Sequence, residues 1–284
     1  MNFISTQQEK AFHSAMKKKF KAAAFDVDGT LTHLGKPNIK KGLVNTLAHL
    51  PSHVPLAICT GREVHHLQSR LAHICETNVD GHNHRMRWTI FCENGSAGYT
   101  FDCKTQEYKK WFEIPWPEKE IKKTVLAAFI TERLGWPARV VEREYSLVIR
   151  FPRFFYVFSR LVKRLSRKTN KRLNAILKEL QLDHAFSAQD SGIGNIIIPH
   201  TSGKGKAIKL WAKRLKIPLQ DILVVGDKAH AGGNDEEMLS GKFGTPFTVG
   251  SSTKNLHPFS VFDKRGRKLI GPDGTIELLS QVRF

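Results

Sequence analysis

Four short apolar runs in the chain each end on a polar residue. "KAAAF" leads into Asp26, "PLAIC" into Thr60, "WTIFC" into Glu93 and Asn94, and "DILVV" into Gly226 and Asp227. Runs this short and continuous suit strands buried on both faces, as in a parallel sheet covered by helices. Between and after them the apolar spacing turns helical. Leu43, Leu47 and Leu50 share a face in "NIKKGLVNTLAHL", as do Val64, Leu67, Leu71 and Ile74 in "REVHHLQSRLAHI" and Ile208, Trp211 and Leu215 in "GKAIKLWAKRL". The alternation predicts an α/β fold with a doubly wound parallel-sheet core. Such sheets bind ligands at the carboxyl ends of their strands, which is where the polar residues fall.

The middle of the chain breaks this rhythm. "EKEIKKTVLAAFITERL" predicts a helix, "ARVVEREY" and "SLVIRF" paired strands, "TNKRLNAILKEL" a second helix and "GNIIIP" a strand. This is enough for a smaller α+β domain over 103–199, inserted into a core made of 1–102 and 200–284. No internal repeat is evident.

Composition narrows the class. With 284 residues, 40% hydrophobic content and 18 Phe, the chain can bury a sizeable interior. No stretch approaches 18 consecutive apolar residues, so no membrane-spanning helix is expected. The opening "MNFISTQQEKAFHSAMKKKF" lacks the apolar core of a signal peptide. Its Phe12 and Met16, four apart, predict a short amphipathic helix. Cys59, Cys75, Cys92 and Cys103 are widely spaced without a C-x-x-C pair, which favours reduced thiols and a cytoplasmic location over a disulfide framework. The 45 Lys and Arg against 26 Asp and Glu give a formal charge of +19 and a long-range attraction for anions. Nucleic acid, anionic lipid and a small phosphorylated metabolite all satisfy it.

Against that basic background, "AAAFDVDGTLT" places Asp26 and Asp28 two residues apart behind an apolar run. An Asp-Gly turn after a strand is common by itself. The set that follows in order is not: Thr60-Gly61-Arg62 behind the second run, Lys204 in "SGKGKA" ahead of a helix, and Asp227 with Asn234-Asp235 in "VVGDKAHAGGNDEEML". Together these segments resemble the four signature motifs of the haloacid dehalogenase superfamily of phosphohydrolases and phosphomutases. "ENGSAGY" is similar to a segment of the branch with an inserted α/β cap, which includes hexose-phosphate and sucrose-phosphate phosphatases. The spacing in "GDKAHAGGND" is similar to that of eukaryotic phosphomannomutases.

The resemblance implies a Mg²⁺-dependent phosphatase acting on a small phosphorylated metabolite, with a sugar phosphate as the expected substrate. It implies Asp26 as the nucleophile that forms an aspartyl-phosphate, and Asp28 as the acid that protonates the leaving alkoxide and then deprotonates water. Asp26, Asp227 and the backbone carbonyl of Asp28 are the implied Mg²⁺ ligands, with Asp235 acting on the metal directly or through its water. Thr60, Gly61 and Lys204 would hold the phosphoryl oxygens. Arg62 fits substrate binding, orientation of an acid, or a surface ion pair. Asn94, at a strand end, and Asn234 are expected to reach the substrate. Asn234-Asp235 also suits a helix N-terminus. The nearest alternative is a phosphomutase, which shares the first half-reaction. The most different one is a polyanion-binding protein built on the same fold.

Other features carry less. His82 and His84 form an H-x-H without further ligands, and a polar loop explains them better than zinc. His65 and His66 suit the exposed start of a helix. Residues 150–178 hold ten Lys and Arg and no acid, with Phe151, Phe154, Phe155, Tyr156 and Phe158 interleaved at the start. That composition fits nucleic acid or anionic membrane. The spacing of Phe154, Phe158, Leu161, Val162 and Leu165 predicts instead a helix whose apolar face is packed and whose basic face is in water. Such a segment in a cap would also draw a multiply anionic substrate.

Overall fold

The computed structural model describes residues 6–33, 38–65, 67, 87–250, 257–263 and 265–284. Its main body is an eight-stranded sheet. The strands are β1 (Ala22–Phe25), β2 (Leu56–Cys59), β3 (Trp88–Cys92), β4 (Ala97–Asp102), β5 (Glu107–Glu113), β10 (Ile222–Gly226), β11 (Thr245–Thr248) and β12 (Phe259–Ser260), in the order β12-β11-β10-β1-β2-β3-β4-β5. From β12 to β3 all neighbours are parallel, while β4 and β5 run antiparallel at one edge. The four apolar runs of the sequence contain β1, β2, β3 and β10, and every residue of these strands is buried.

Burial on both faces requires cover on both. On one side α1 (Thr6–Met16), α2 (Lys41–Ala48) and α6 (Gly271–Gln281) pack against Phe25, Ile58, Ile90 and Val225. On the other, α5 (Lys204–Leu215) presents Ala207, Ile208, Trp211 and Ala212 to Ala24, Ala57, Phe91 and Val224. The alanines of β1 admit α5 close to the strand. The predicted helix beyond Arg62, with His66, Cys75, His82 and His84, lies outside the described residues apart from its first turn.

A second, four-stranded antiparallel sheet has the order β6-β7-β9-β8, from β6 (Arg139–Glu142), β7 (Leu147–Arg150), β8 (Phe186–Asp190) and β9 (Gly194–Pro199). Two helices, α3 (Lys123–Leu134) and α4 (Ser159–Glu179), cover it through Leu126, Ile130, Leu173, Ile176 and Leu177.

Three details depart from the sequence reading. Residues 107–113 fall inside the predicted insertion, yet they form β5 at the edge of the large sheet, paired with β4 as a hairpin. An edge strand facing water tolerates the polar "EYKKWFE" that hid it. The strand at Phe186–Asp190 was also not foreseen, because alternating Ser187 and Gln189 interrupt its apolar residues. Finally, the predicted packed face at the start of α4 is exposed: Phe154, Phe158 and Leu161 are 57%, 61% and 47% accessible. Of that set only Val162 is buried and Leu165 half-buried. The helix instead buries a face rotated along its axis, through Val162, Ser166, Thr169, Asn170, Leu173 and Ile176.

Candidate active site

The site is built where β1 and β10 end. The parallel register sets Phe25 beside Val225, and the backbone N–H of Asp26 donates to the Val225 carbonyl at 2.9 Å. Asp26 therefore leaves β1 level with Gly226, and Asp227 leaves the neighbouring strand one residue further on. Asp28 lies in the tight turn that follows β1, where Gly29 adopts φ +95°. A Cβ on Gly29 would overlap the Asp227 carboxylate, so this loop can close on the β10 loop only with glycine. Gly203 (φ +153°) plays a similar part ahead of α5, where a Cβ would overlap Glu237. That turn brings Lys204, the first residue of α5, into the site.

Asp26, Asp227 and Asp235 each offer a carboxylate oxygen within 4.8 Å of the others. The buried Lys204 ammonium donates to Asp26 Oδ1 at 2.5 Å and to Asp235 Oδ1 at 2.6 Å. Asp235 Oδ2 accepts from the backbone N–H groups of Asp227 and Lys228, both at 3.0 Å. The 234–240 segment that supplies it forms turns rather than the helix start that Asn234-Asp235 suggested. A second ammonium, Lys228, contacts both Asp227 oxygens at 2.9 and 3.1 Å and the Asp28 carbonyl at 3.2 Å.

Burial and the neighbouring charges together set the protonation of this cluster. It pushes the Asp26 carboxyl up to about 7, reinforced by the Asp235 charge and opposed by Lys204 and Lys228. Burial likewise raises Asp227 to about 6, against the pull of Lys228. Asp235 is also buried, but Lys204 and Lys228 outweigh that penalty and hold it below the usual carboxylate range. For Lys204, burial works against the charge; Asp235 and Asp26 overcome it and keep the ammonium protonated.

The remaining predicted residues surround this cluster. Arg62 grips the Asp28 carboxylate with both ends of its guanidinium, Nε to Oδ2 at 2.9 Å and Nη2 to Oδ1 at 2.6 Å. Of its three sequence-based roles, the contact made is with an acid of the site. Thr60 is buried just past β2, and its hydroxyl accepts from the Arg62 N–H at 3.2 Å. The Gly61 carbonyl accepts from Arg143 Nη1 at 2.5 Å. Asn94 is fully buried in a left-handed turn (φ +53°) and donates to Gln189 Oε1 at 2.8 Å. Asn234 is buried, and its backbone N–H donates to the Asp190 carbonyl at 3.0 Å.

Several residues here escaped the sequence reading. Glu93 (φ +46°) accepts from the Tyr145 N–H at 3.1 Å and the Ser146 hydroxyl at 2.5 Å, so one buried carboxylate ties the β3 turn to the small sheet. Burial raises its pKa against these hydrogen bonds. Arg143 lies against Glu63 at 3.2 Å. Asp190 is paired with His230 of the Asp227–Asp235 loop at 3.3 Å and accepts from Ser166 at 2.5 Å. Lys228 sits in "GDK", where a lysine reads as one more solvated cation of a basic chain. The only sequence signal for Glu93 was its place at a strand end beside Asn94.

The donor set fits a hard divalent cation. Asp26 Oδ2 is buried without a hydrogen-bond partner among the described residues, and a buried carboxylate oxygen is rarely left so. With all three carboxylates ionised, two ammoniums leave the cluster one negative charge in excess. That balance repels a phosphate dianion, and a divalent ion reverses its sign. Mg²⁺ prefers oxygen ligands, which this cluster supplies.

Over residues 156–258 the chain matches the family model described as sucrose-6F-phosphate phosphohydrolase. No curated protein sequence matches the chain significantly. Solved structures share the fold at low identity. Plasmodium falciparum IMP-nucleotidase is 14% identical, with 96% of this chain and 79% of that one covered at a TM-score of 0.66. Aspergillus fumigatus trehalose-6-phosphate phosphatase is 17% identical, with 97% of each chain covered at 0.52. The Thermotoga maritima protein TM0651 is 14% identical, with 93% of this chain and 98% of that one covered at 0.61. The fold, and the order of the motifs on it, are similar to those of these proteins. Among the described residues no helix is long and apolar enough to cross a membrane.

Proposed function

We propose that the protein hydrolyses the phosphate monoester of a small sugar or nucleoside, with Asp26 as nucleophile and Mg²⁺ as cofactor. One observation carries this reading: a buried cluster in which Lys204 bridges Asp26 and Asp235 while Asp26 Oδ2 has no hydrogen-bond partner among the described residues. The named activities of the structural neighbours, on IMP and on trehalose 6-phosphate, supply the substrate classes to try first.

Asp26, Asp227 and the Asp28 carbonyl would hold the metal, with Asp235 behind them. Bound there, Mg²⁺ neutralises phosphoryl charge as a Lewis acid. The protein's own residues do the rest. An Asp26 oxygen attacks phosphorus, and the P–O bond to the leaving alkoxide breaks as Asp28 gives that oxygen a proton. Asp28, now ionised, takes a proton from water, whose hydroxyl cleaves the aspartyl-phosphate and frees inorganic phosphate and Asp26. Lys204, with the Thr60 hydroxyl and Gly61, stabilises the phosphoryl oxygens where charge spreads in the transition state. Arg62 is the positioning residue for Asp28 and releases at least one of its oxygens for proton transfer. The four-stranded sheet with α3 and α4 acts as a cap over this centre. Arg143, Gln189 and Asp190 of the cap, with Asn94 and Asn234 beside them, select the group that carries the phosphate.

The test is phosphate release from a panel of sugar phosphates and nucleoside monophosphates, with Mg²⁺ and with chelator, for wild type and Asp26→Asn. Metal-dependent release lost in the variant is expected. Turnover that survives Asp26→Asn contradicts the mechanism.

A further inference from the structure

The basic segment at 150–178 takes no part in the chemistry above, and its aromatic residues are not the packed face that their spacing predicted. A turn at Arg153–Val157 precedes α4 and projects its side chains into solvent. Val157 is 80% accessible, and Phe154, Phe158 and Leu161 are each about half exposed or more. Trp136, 79% accessible, joins them from the end of α3, its ring 6.0 Å from Phe155, which in turn stacks on Phe154 at 4.4 Å. A contiguous exposed apolar surface of this kind marks a place of contact.

The charge around it says what kind. Arg160, Lys163, Arg164, Arg167, Lys168 and Lys171 are all exposed on the face of α4 opposite its buried residues. No acid occurs between residues 150 and 178. The surface is therefore an apolar tip leading into a cationic helix face. Two polyanions could match the charge. A single-stranded nucleic acid stacks its bases on rings with free faces, set along a basic track. Here Phe154 and Phe155 each spend one face on the other, and Val157 and Leu161, which share the tip with Phe158 and Trp136, have no ring. An anionic bilayer asks for something else, apolar side chains at one place to enter the acyl boundary and cations beside them to meet the headgroups. That is the arrangement present.

We propose that this surface docks the protein on an anionic lipid membrane, with Phe154, Val157, Phe158, Leu161 and Trp136 entering the interface and α4 lying along the headgroups. The other face of α4 carries Ser166 and Asn170, whose partners Asp190 and Gly232 lie at the border of the active site. Docking thus holds the cap from outside while its inner face meets the substrate. The inference stands whether or not the catalytic reading does.

The experiment is co-sedimentation of the full chain with phosphatidylcholine vesicles, with and without about a third phosphatidylserine, at roughly physiological salt. Binding to the anionic vesicles alone is expected. Phe154→Ser/Val157→Ser/Phe158→Ser removes three exposed side chains, leaves the charge unchanged, and should weaken binding at least about tenfold. Lys163→Glu/Arg167→Glu/Lys171→Glu should weaken it comparably and abolish its dependence on phosphatidylserine. Melting followed by circular dichroism confirms that each variant folds. In wild type, lipid-induced blue shift of tryptophan emission that disappears in Trp136→Phe gives a reading free of the triple variants. Undiminished binding by the serine variant overturns the proposal. So does binding of a single-stranded oligonucleotide that displaces the vesicles and falls in the same variant, or self-association of the lipid-free protein that the serine variant abolishes.

Discussion

The molecule uses its cations in two opposite ways. Lys204 and Lys228 are nearly inaccessible, and each ammonium rests on carboxylates at hydrogen-bond distance. The cations along α4 stand in water, in a stretch without an acid from residue 150 to 178. A buried charge is stable only with its partner, so it is fixed in place and can serve chemistry at a defined atom. An exposed one is screened within about 10 Å and acts through the summed field of its neighbours. A formal charge of +19 is thus no single property: two of its lysines belong to the buried carboxylate cluster, and those of α4 make a surface.

Removing a member of the buried cluster has the largest expected effect. Asp26→Asn should lower phosphate release by about four orders of magnitude or more, as loss of a nucleophile does, measured as kcat at saturating Mg²⁺. Lys204→Met leaves two buried carboxylates without their shared cation. It should cost roughly 3–5 kcal/mol of stability by denaturant titration as well as abolish turnover. Asp227→Asn should weaken Mg²⁺ binding by at least about tenfold in calorimetry, and chelation should silence the wild type reversibly.

A smaller effect follows from the raised Asp26 pKa. A carboxyl whose folded value lies above its unfolded one favours the fold below the unfolded pKa, and that contribution is lost as pH rises through the folded value. Asp26 should therefore withdraw stability from the metal-free protein between about pH 4 and 7. Asn at 26 does not titrate, so the Tm of Asp26→Asn should gain on wild type by a few degrees from pH 5 to pH 8. Added Mg²⁺ should shrink the gap, because the ion compensates the ionised form. The smallest effect belongs to the wet region: charge reversal at Lys163, Arg167 and Lys171 should shift Tm by no more than about 1 °C.

Legibility in the sequence divides along the same line. Strands β1, β2, β3 and β10 were readable because burial on both faces leaves continuous apolar runs, and their ends pointed directly to Asp26, Thr60, Asn94 and Asp227. The chain order of the acids and Lys204 did the rest. Glu93 and Arg143 were not readable, since their contacts join segments about fifty and eighty residues apart and only the docking of the two sheets pairs them. β5 and β8 were hidden by polar residues that an edge or half-covered strand accepts. The start of α4 misled because Phe154, Phe158 and Leu161 do recur at helical spacing. Periodicity reports that a face exists, not what it faces.

The central claim is a phosphoryl group carried on Asp26. It is tested most directly by acid quench during turnover, borohydride reduction and mass spectrometry of the peptide spanning residues 22–32. Reduction of an acyl phosphate converts that aspartate to homoserine. The account predicts homoserine at position 26 only when substrate and Mg²⁺ are both present. Sustained turnover with Asp26 unmodified, under conditions in which a reference aspartyl-phosphate is trapped, would contradict it.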